Sequence, residues 1–193
     1  MTALAQRSRK LSIPEFLSFY DTRPEEERWE LIDGAALLMT PPFPAHQRIA
    51  SNLERLLNDA FDTQGLPFAA FQRIGTELAE FPHYRPEPDI IVVDANAPVE
   101  RRYFDRFYLA AEVLSNSDGE RIDLKRKYYR AHIHNRAILL IRQDRQELEL
   151  DLRDGVDWVT AVLRGPDATL VLRDLGFSCP LGALYRKTAL QPT

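Results

Sequence analysis

The chain has little cysteine: of its 193 residues, only Cys179 carries a thiol. A single cysteine excludes an intrachain disulfide and a zinc site built on several thiolates. The sequence also lacks any apolar run near the ~20 residues that a membrane-spanning helix needs. Its first residues, MTALAQR, lack the apolar segment of a secretory signal peptide. These absences predict a cytoplasmic protein with no membrane association.

The chain also has no excess of basic residues. It contains 25 Lys and Arg and 29 Asp and Glu, which gives a net charge of −4. This balance argues against a protein that coats nucleic acid indiscriminately, because such binding depends mainly on neutralisation of phosphates by Lys and Arg. A nuclease that uses metal ions is still compatible with it, since such an enzyme needs a carboxylate cluster and only a local basic rim. The sequence contains neither a Gly-x-Ser-x-Gly motif nor a glycine-rich phosphate-binding loop.

What the chain does contain is a regular succession of helix and strand patterns, without internal repeats. Ser12, Pro14 and Glu15 predict the capping-box start of a short helix, and Asp33-Gly34 predicts the turn of a tight hairpin. Further elements are expected in this order: a helix at 46–65, strands in FAAFQRIGTEL, DIIVV and FYLAAEVL, a basic helix at roughly 119–134, and strands in AILLI and ELELDLRD. We therefore expect a single α/β domain, 1–193, built around one sheet.

The positive charge of the chain is concentrated rather than spread evenly. Residues 121–136 carry six Lys and Arg against one acid, Asp123. A charge run of this kind is typical of a solvated helix face, and we interpret it so.

Two acids occupy positions where a carboxylate is costly. Asp89 opens the apolar pattern DIIVV after Pro88, and Glu112 lies inside LAAEVL. A carboxylate in an apolar strand is unfavourable unless it is paired, hydrogen-bonded or bound to a metal. If the two strands are antiparallel neighbours, both acids project from one end of the sheet. Two interpretations follow: a divalent cation such as Mg²⁺ or Mn²⁺ lies between them, or Glu112 pairs with an arginine of the basic helix.

The order of these motifs resembles the PD-(D/E)xK nuclease superfamily and, within it, the Uma-two-type restriction endonuclease family. The family shows a Glu-Leu-Ile-Asp-Gly hairpin, Pro-Asp at the start of a strand, Glu-Val-Leu-Ser in the next strand, and a lysine and a tyrosine on the helix that follows. The matching segments here are RWELIDGAALLMTPPFPAHQRIASNLERLL, RPEPDIIVV, AAEVLSNS and KYYRAHIHNRAILLIRQ. Each motif alone is weak, but the ordered set is specific.

The resemblance implies a restriction-endonuclease-like core, a mixed curved β-sheet flanked by α-helices. This core would cover about 11–150, and a short β-rich tail would follow at 151–187. The implied function is metal-dependent hydrolysis of phosphodiester bonds in DNA. In that function Asp89, Glu112 and the carbonyl of Val113 would hold Mg²⁺ (or Mn²⁺), which stabilises charge on the phosphoryl oxygens.

The catalytic lysine has two candidate positions. In the commonest form of the superfamily it lies two residues after the glutamate, but Leu114 stands there in this chain. The resemblance therefore assigns it to the following helix. Lys125 lies one helical turn before Tyr129, on the same face, whereas Lys127 keeps the family's spacing from Asp123. We favour Lys125, which would orient or deprotonate the attacking water.

Several roles stay open at this point. Glu30 matches a family acid and would either join the metal shell or pair with a Lys or Arg. His46, at the start of the second helix, would either contact substrate phosphate or cap the helix, and we favour the cap. A homodimer is expected, because a two-fold dimer most simply cuts both strands of a symmetric duplex. The alternative to an enzyme is a catalytically inactive module of the same fold that binds nucleic acid or a protein partner.

Overall fold

A computed structural model describes residues 9–98, 100–115 and 119–191. The N-terminal MTALAQR, the last residues of the predicted single domain and positions 116 and 117 of the AAEVLSNS motif lie outside these ranges. The helices are α1 (Ile13–Tyr20), α2 (Pro44–Gln64) and α3 (Gly119–Ala131). The strands are β1 (Trp29–Ile32), β2 (Ala35–Leu38), β3 (Phe68–Gln72), β4 (Gly75–Thr76), β5 (Ile90–Asp94), β6 (Tyr103–Phe104), β7 (Leu109–Leu114), β8 (Ala137–Arg142), β9 (Glu147–Asp154), β10 (Asp157–Arg164), β11 (Thr169–Leu172) and β12 (Phe177–Pro180).

The main sheet has six strands in the order β10-β9-β8-β7-β5-β3. Only β7 and β8 run parallel within it, and α3 makes the crossover between them. All other neighbours are antiparallel. The predicted mixed α/β fold is thereby confirmed. Within the described residues, no helix combines the length and the apolar character needed to cross a bilayer.

Local sequence signals account for the ends of several elements. The backbone N–H of Ser12 donates to the Glu15 carboxylate over 2.9 Å, which completes the predicted capping box of α1. Asp33 and Gly34 both adopt positive φ, 50° and 82°, as the tight turn between β1 and β2 requires. Gly65 ends α2 in the left-handed conformation.

Apolar side chains cover both faces of the main sheet. On one face, α2 packs with Ile49 and Leu53, and the chain after β10 adds Leu170 and Leu184 to the same buried cluster. On the other face, α3 packs with two buried tyrosines, Tyr128 and Tyr129. The predicted boundary between core and tail, at 150/151, falls inside β9. Residues after it, Leu170 and Leu184 among them, belong to the main core.

The basic helix α3 is not simply the solvated face that its charge run predicted. Arg126 and Arg130 both bind the carboxylate of Asp151, at 2.5 and 2.8 Å, and Asp151 is only 1 % exposed. Burial alone would raise the pKa of this carboxyl, but hydrogen bonds from the two arginines and Thr160 outweigh it and lower the pKa to about 2. Part of the charge on α3 therefore ties the helix to β9, an element that is distant in sequence.

Candidate active site

The two predicted acids meet where the pairing of β5 with β7 ends. Ile90 pairs with Ala111, so Asp89 and Glu112 follow immediately at the same end of the two antiparallel strands. Oδ2 of Asp89 accepts a hydrogen bond of 2.7 Å from the backbone N–H of Val113. The carboxylate of Asp89 thus caps the backbone of β7 at the point where β5 no longer covers it.

The proline-rich approach to Asp89 is fixed to the β1–β2 hairpin. Arg85 exchanges backbone hydrogen bonds with Leu31, at 2.7 and 3.4 Å. Two residues farther along, the N–H of Glu87 donates to Oε1 of Glu30 over 2.6 Å. These bonds bring a third acid, Glu30 of β1, to the end of the sheet where Asp89 lies.

Lys125 links two of the acids. Its ammonium lies 2.8 Å from Oε1 of Glu30 and 3.1 Å from Oε1 of Glu112. All three side chains are buried, with residue exposures of 6 % for Lys125, 2 % for Glu30 and 7 % for Glu112. Lys127, the other candidate, is exposed on α3. Glu112 therefore takes its ion-pair partner from the basic helix, and that partner is a lysine.

Tyr129 adds a contact that sequence reasoning did not assign. Its hydroxyl donates to Oε1 of Glu112 over 2.6 Å, and its ring is fully buried. Lys125 and Tyr129 are four residues apart, so they project from the same face of α3. In the sequence, this spacing of four residues indicates that Tyr129 lies beside Lys125. It served there only to choose between Lys125 and Lys127. Both side chains converge on a single oxygen of Glu112.

The buried charges change one another's proton affinity. Burial raises the pKa of Glu112, and the nearby carboxylates of Asp89 and Glu30 add to this, while Lys125 opposes it. Burial by itself would lower the pKa of Lys125, but the charges of Glu112 and Glu30 outweigh burial and raise it above the ordinary value. The lysine is therefore held as an ammonium ion between Glu30 and Glu112.

His46 does not cap its helix. The N-cap of α2 is Phe43, which makes no side-chain capping bond, so the predicted capping role is wrong. Nε2 of His46 instead lies 3.1 Å from Oδ2 of Asp89. Burial lowers the pKa of His46, but the hydrogen bond and the charge of Asp89 outweigh it and raise the pKa. The start of α2 is thereby attached to the acid end of the sheet.

A cleft of about 290 Å³ opens over this cluster. Its lining contains Glu30, His46, Asp89, Glu112, Val113 and Lys125, together with apolar residues from the β2–α2 connection. Asp89 and Glu112 each use one oxygen, Oδ2 and Oε1, for two protein donors. Among the described residues, their other oxygens have no hydrogen-bond donor. Within 9–98, 100–115 and 119–191, each carboxylate therefore has one oxygen that is not engaged by a donor of the protein.

The acids alone do not form a complete metal cage. Across 9–98, 100–115 and 119–191, no group of three or more His, Cys, Asp or Glu side chains has the spacing of a metal site. Any cation in the cleft would take its remaining ligands from the backbone, water or substrate, as Mg²⁺ commonly does.

Comparison with known proteins agrees with the fold and the motifs. The family model of Uma2, described as "Putative restriction endonuclease", matches residues 13–182. The chain is also similar in structure to a protein from Anabaena variabilis described as "a putative nuclease belonging to DUF820". The two share 19 % sequence identity, with a TM-score of 0.73 over 91 % of this chain and 97 % of the other. No curated protein sequence matches the chain.

Proposed function

We propose that this chain, which belongs to the Uma2 family, is a metal-dependent endonuclease that hydrolyses phosphodiester bonds in DNA. The family description and the fold of the structural neighbour both support a nuclease-like role. The observation that carries the proposal of metal-dependent DNA cleavage is the contact of Lys125 with Glu112. This contact lies at the strand end where the N–H of Val113 donates to Asp89. An acid pair beside a buried ammonium suits a reaction that builds up negative charge on a phosphoryl group.

The residues at this end of the sheet fit Mg²⁺ or Mn²⁺. Among the described residues, no donor contacts the second carboxylate oxygen of Asp89 or of Glu112. The N–H of Val113 points toward Asp89, and in an extended strand the carbonyl of the same residue points to the same side. The donors are therefore hard oxygens, which Mg²⁺ and Mn²⁺ prefer. When bound, such an ion would polarise the phosphoryl oxygen and lower the pKa of a bound water.

Lys125 would act as a fixed cation. Because Glu30 and Glu112 hold it as an ammonium, it donates hydrogen bonds to the attacking water or to the scissile phosphate instead of removing a proton. Glu30 would position this ammonium, and Tyr129 and His46 would orient Glu112 and Asp89 through the oxygens that face away from substrate. The chain would thus supply an aligned site that needs little rearrangement during the reaction.

Divalent metal is expected to raise the melting temperature of the wild type, because a ligand that binds only the native state stabilises it. The Asp89→Asn variant should lose both this response and DNA cleavage, since an amide removes the negative charge while preserving side-chain shape. Differential scanning fluorimetry with Mg²⁺ or Mn²⁺, paired with a plasmid-nicking assay, measures both effects. Asp59→Asn, an exposed substitution on α2, serves as the control and should behave as wild type. An equal melting shift in Asp89→Asn would remove the metal site from the proposal, and metal binding without cleavage of any DNA would favour the inactive module.

We also propose that two copies pair through β10. This strand ends the main sheet and has eight residues, with Val159 56 % and Val162 41 % exposed. The N–H of Gly165 donates to the carbonyl of Gln146. In an antiparallel pair every second residue bonds to the neighbouring strand, so this bond shows which residues of β10 bond to β9. By that alternation, the backbone groups of Trp158, Thr160, Val162 and Arg164 point away from β9. A second β10, antiparallel to the first, would satisfy these groups.

Replacing Val162 with proline is expected to prevent this pairing. Proline removes an outward N–H and adds a ring at the edge, while the bonds to β9 come from the alternate residues. Light scattering over a range of protein concentration should show a dimer for the wild type and only the ~22 kDa monomer for the variant. Val162→Thr, which keeps the N–H and the β-branched shape, should still dimerise. A monomeric wild type at high concentration would contradict the proposal.

A further inference from the structure

One wall of the cleft is apolar and exposed, although the floor is built from charges. The last residue of β2 and the chain that leads to α2 contribute Leu38, Met39 and Phe43, which are 48 %, 36 % and 71 % exposed, and all three line the cleft. A wall that met only the phosphates of a duplex would be expected to carry Lys or Arg. Single exposed apolar residues are ordinary on protein surfaces, but here three of them adjoin a candidate active site.

The backbone at Phe43 is conformationally restricted. Phe43 lies between Pro42 and Pro44, and its backbone angles, φ −64° and ψ 154°, are those of the extended conformation that a following proline enforces. It is also the N-cap of α2, three residues before His46, which contacts Asp89. The backbone that carries the ring is therefore restricted relative to the acids, and little backbone entropy would be lost if the ring bound a ligand.

We propose that the cleft accepts an unpaired segment of DNA and that the ring of Phe43 stacks on a base next to the scissile phosphate. In a duplex the base faces are covered by their neighbours, whereas an unpaired strand exposes them to aromatic side chains. Leu38 and Met39 extend the apolar surface along the same wall. This inference rests on the proposed nuclease function, because it takes the acid cluster as the place where the phosphate lies.

Binding to oligonucleotides separates stacking from phosphate contacts. Fluorescence anisotropy gives the affinities for a labelled single strand and for the matching duplex. The buffer contains Ca²⁺, and gels verify that the DNA stays intact. The wild type should bind the single strand at least ~10-fold more tightly than the duplex. Phe43→Ala should lose about 5- to 100-fold in single-strand affinity, the range measured for removing one base–aromatic stack. Phe43→Trp should retain the wild-type affinity.

Two controls make the result specific to stacking. Ile133→Ala removes an equally exposed apolar side chain (76 % exposed) outside the cleft and should leave both affinities unchanged. A set of single strands with one abasic position each keeps the backbone phosphates but removes one base. For one strand of the set, the wild type should lose as much affinity as the Phe43→Ala variant loses for the intact strand. The Phe43→Ala variant should bind that abasic strand and the intact strand about equally well.

The proposal is overturned if Phe43→Ala binds the single strand as tightly as the wild type, or if the duplex is bound as tightly as the single strand. It is equally overturned if no DNA is bound, which would leave the apolar wall to a protein partner. Failure of the nuclease function has a different signature. In that case the stacking pattern persists in the anisotropy data, while Mg²⁺ and Mn²⁺ produce no cleavage of any of the oligonucleotides.

Discussion

Removing the ammonium of Lys125 should reduce the rate of DNA cleavage by about 10²- to 10³-fold, the usual cost of losing one preorganised donor to a transition-state oxyanion. Lys125 lies 3.1 Å from Glu112 and 2.8 Å from Glu30, so its charge is adjacent to the acids that would hold the metal. The variant Lys125→Met preserves the length of the apolar stem. Single-turnover cleavage with enzyme in excess and saturating Mg²⁺ measures the chemical step without the contribution of substrate affinity.

Lys127→Ala is the matched control. Two residues along a helix correspond to about 200° around its axis, and Lys127 is exposed where Lys125 is buried. Its removal should weaken DNA binding in a salt-dependent manner, as expected for a phosphate contact, with the single-turnover rate unchanged at saturation. If Lys127→Ala were inactive and Lys125→Met active, the assignment of the lysine would be wrong. Equal activity of both variants with wild type would exclude a catalytic lysine on α3.

Much of the candidate site could be anticipated from the sequence, because strand patterns carry positional information. Asp89 and Glu112 each lie at a recognisable point of an apolar strand, and the antiparallel pairing of β5 with β7 brings those points together. The choice of Lys125 followed from helical periodicity, since its partner Tyr129 lies one turn away on the same face. Roles for these residues remain proposals, but their proximity is a property of the fold.

Other contacts depend on packing that no local pattern encodes. His46 looked like a helix-start residue, and only the approach of α2 to the sheet reveals its contact with Asp89. Arg126 and Arg130 looked solvated, because the sequence does not show that Asp151 of β9 lies buried beneath them. The family resemblance was seen over about 11–150, whereas the match reaches residue 182. Beyond the β9–β10 hairpin this part is short strands and turns, whose motifs are weak, although Leu170 and Leu184 contribute to the core.

The burial of Lys125 leads to a second large effect, on stability. Exposed ion pairs contribute little, but a buried pair that loses one partner leaves an uncompensated charge at a cost of about 3–5 kcal/mol. Lys125→Met leaves the carboxylates of both Glu30 and Glu112 buried without their cation. We therefore expect the free energy of unfolding to fall by about that amount in urea denaturation without divalent metal.

The loss of stability in Lys125→Met could come from unbalanced buried charge or from lost packing. The double variant Glu30→Gln with Lys125→Met distinguishes these two causes. Glutamine can still accept the hydrogen bond that the Glu87 N–H gives to Glu30, while one of the two uncompensated charges disappears. The double variant should therefore be more stable than Lys125→Met alone, a non-additivity that a double-mutant cycle measures directly. Its DNA cleavage should nevertheless stay as low as that of Lys125→Met, since the ammonium is still missing.

An exposed ion pair provides the comparison for this cycle. Arg55 and Asp59, one turn apart on α2, are 2.9 Å from each other with side chains 50 % and 64 % exposed. Asp59→Asn should cost at most about 0.5 kcal/mol. If Lys125→Met were no more costly than Asp59→Asn, water must reach Glu30 and Glu112, and the ammonium would not be confined between them. A double variant less stable than Lys125→Met would instead mean that Glu30 stabilises the fold through its bond to Glu87 more than through its charge. Partial recovery of stability without recovery of cleavage is the outcome that separates the two roles of Lys125, because it would show that the fold needs its charge balance while the reaction needs the lysine itself.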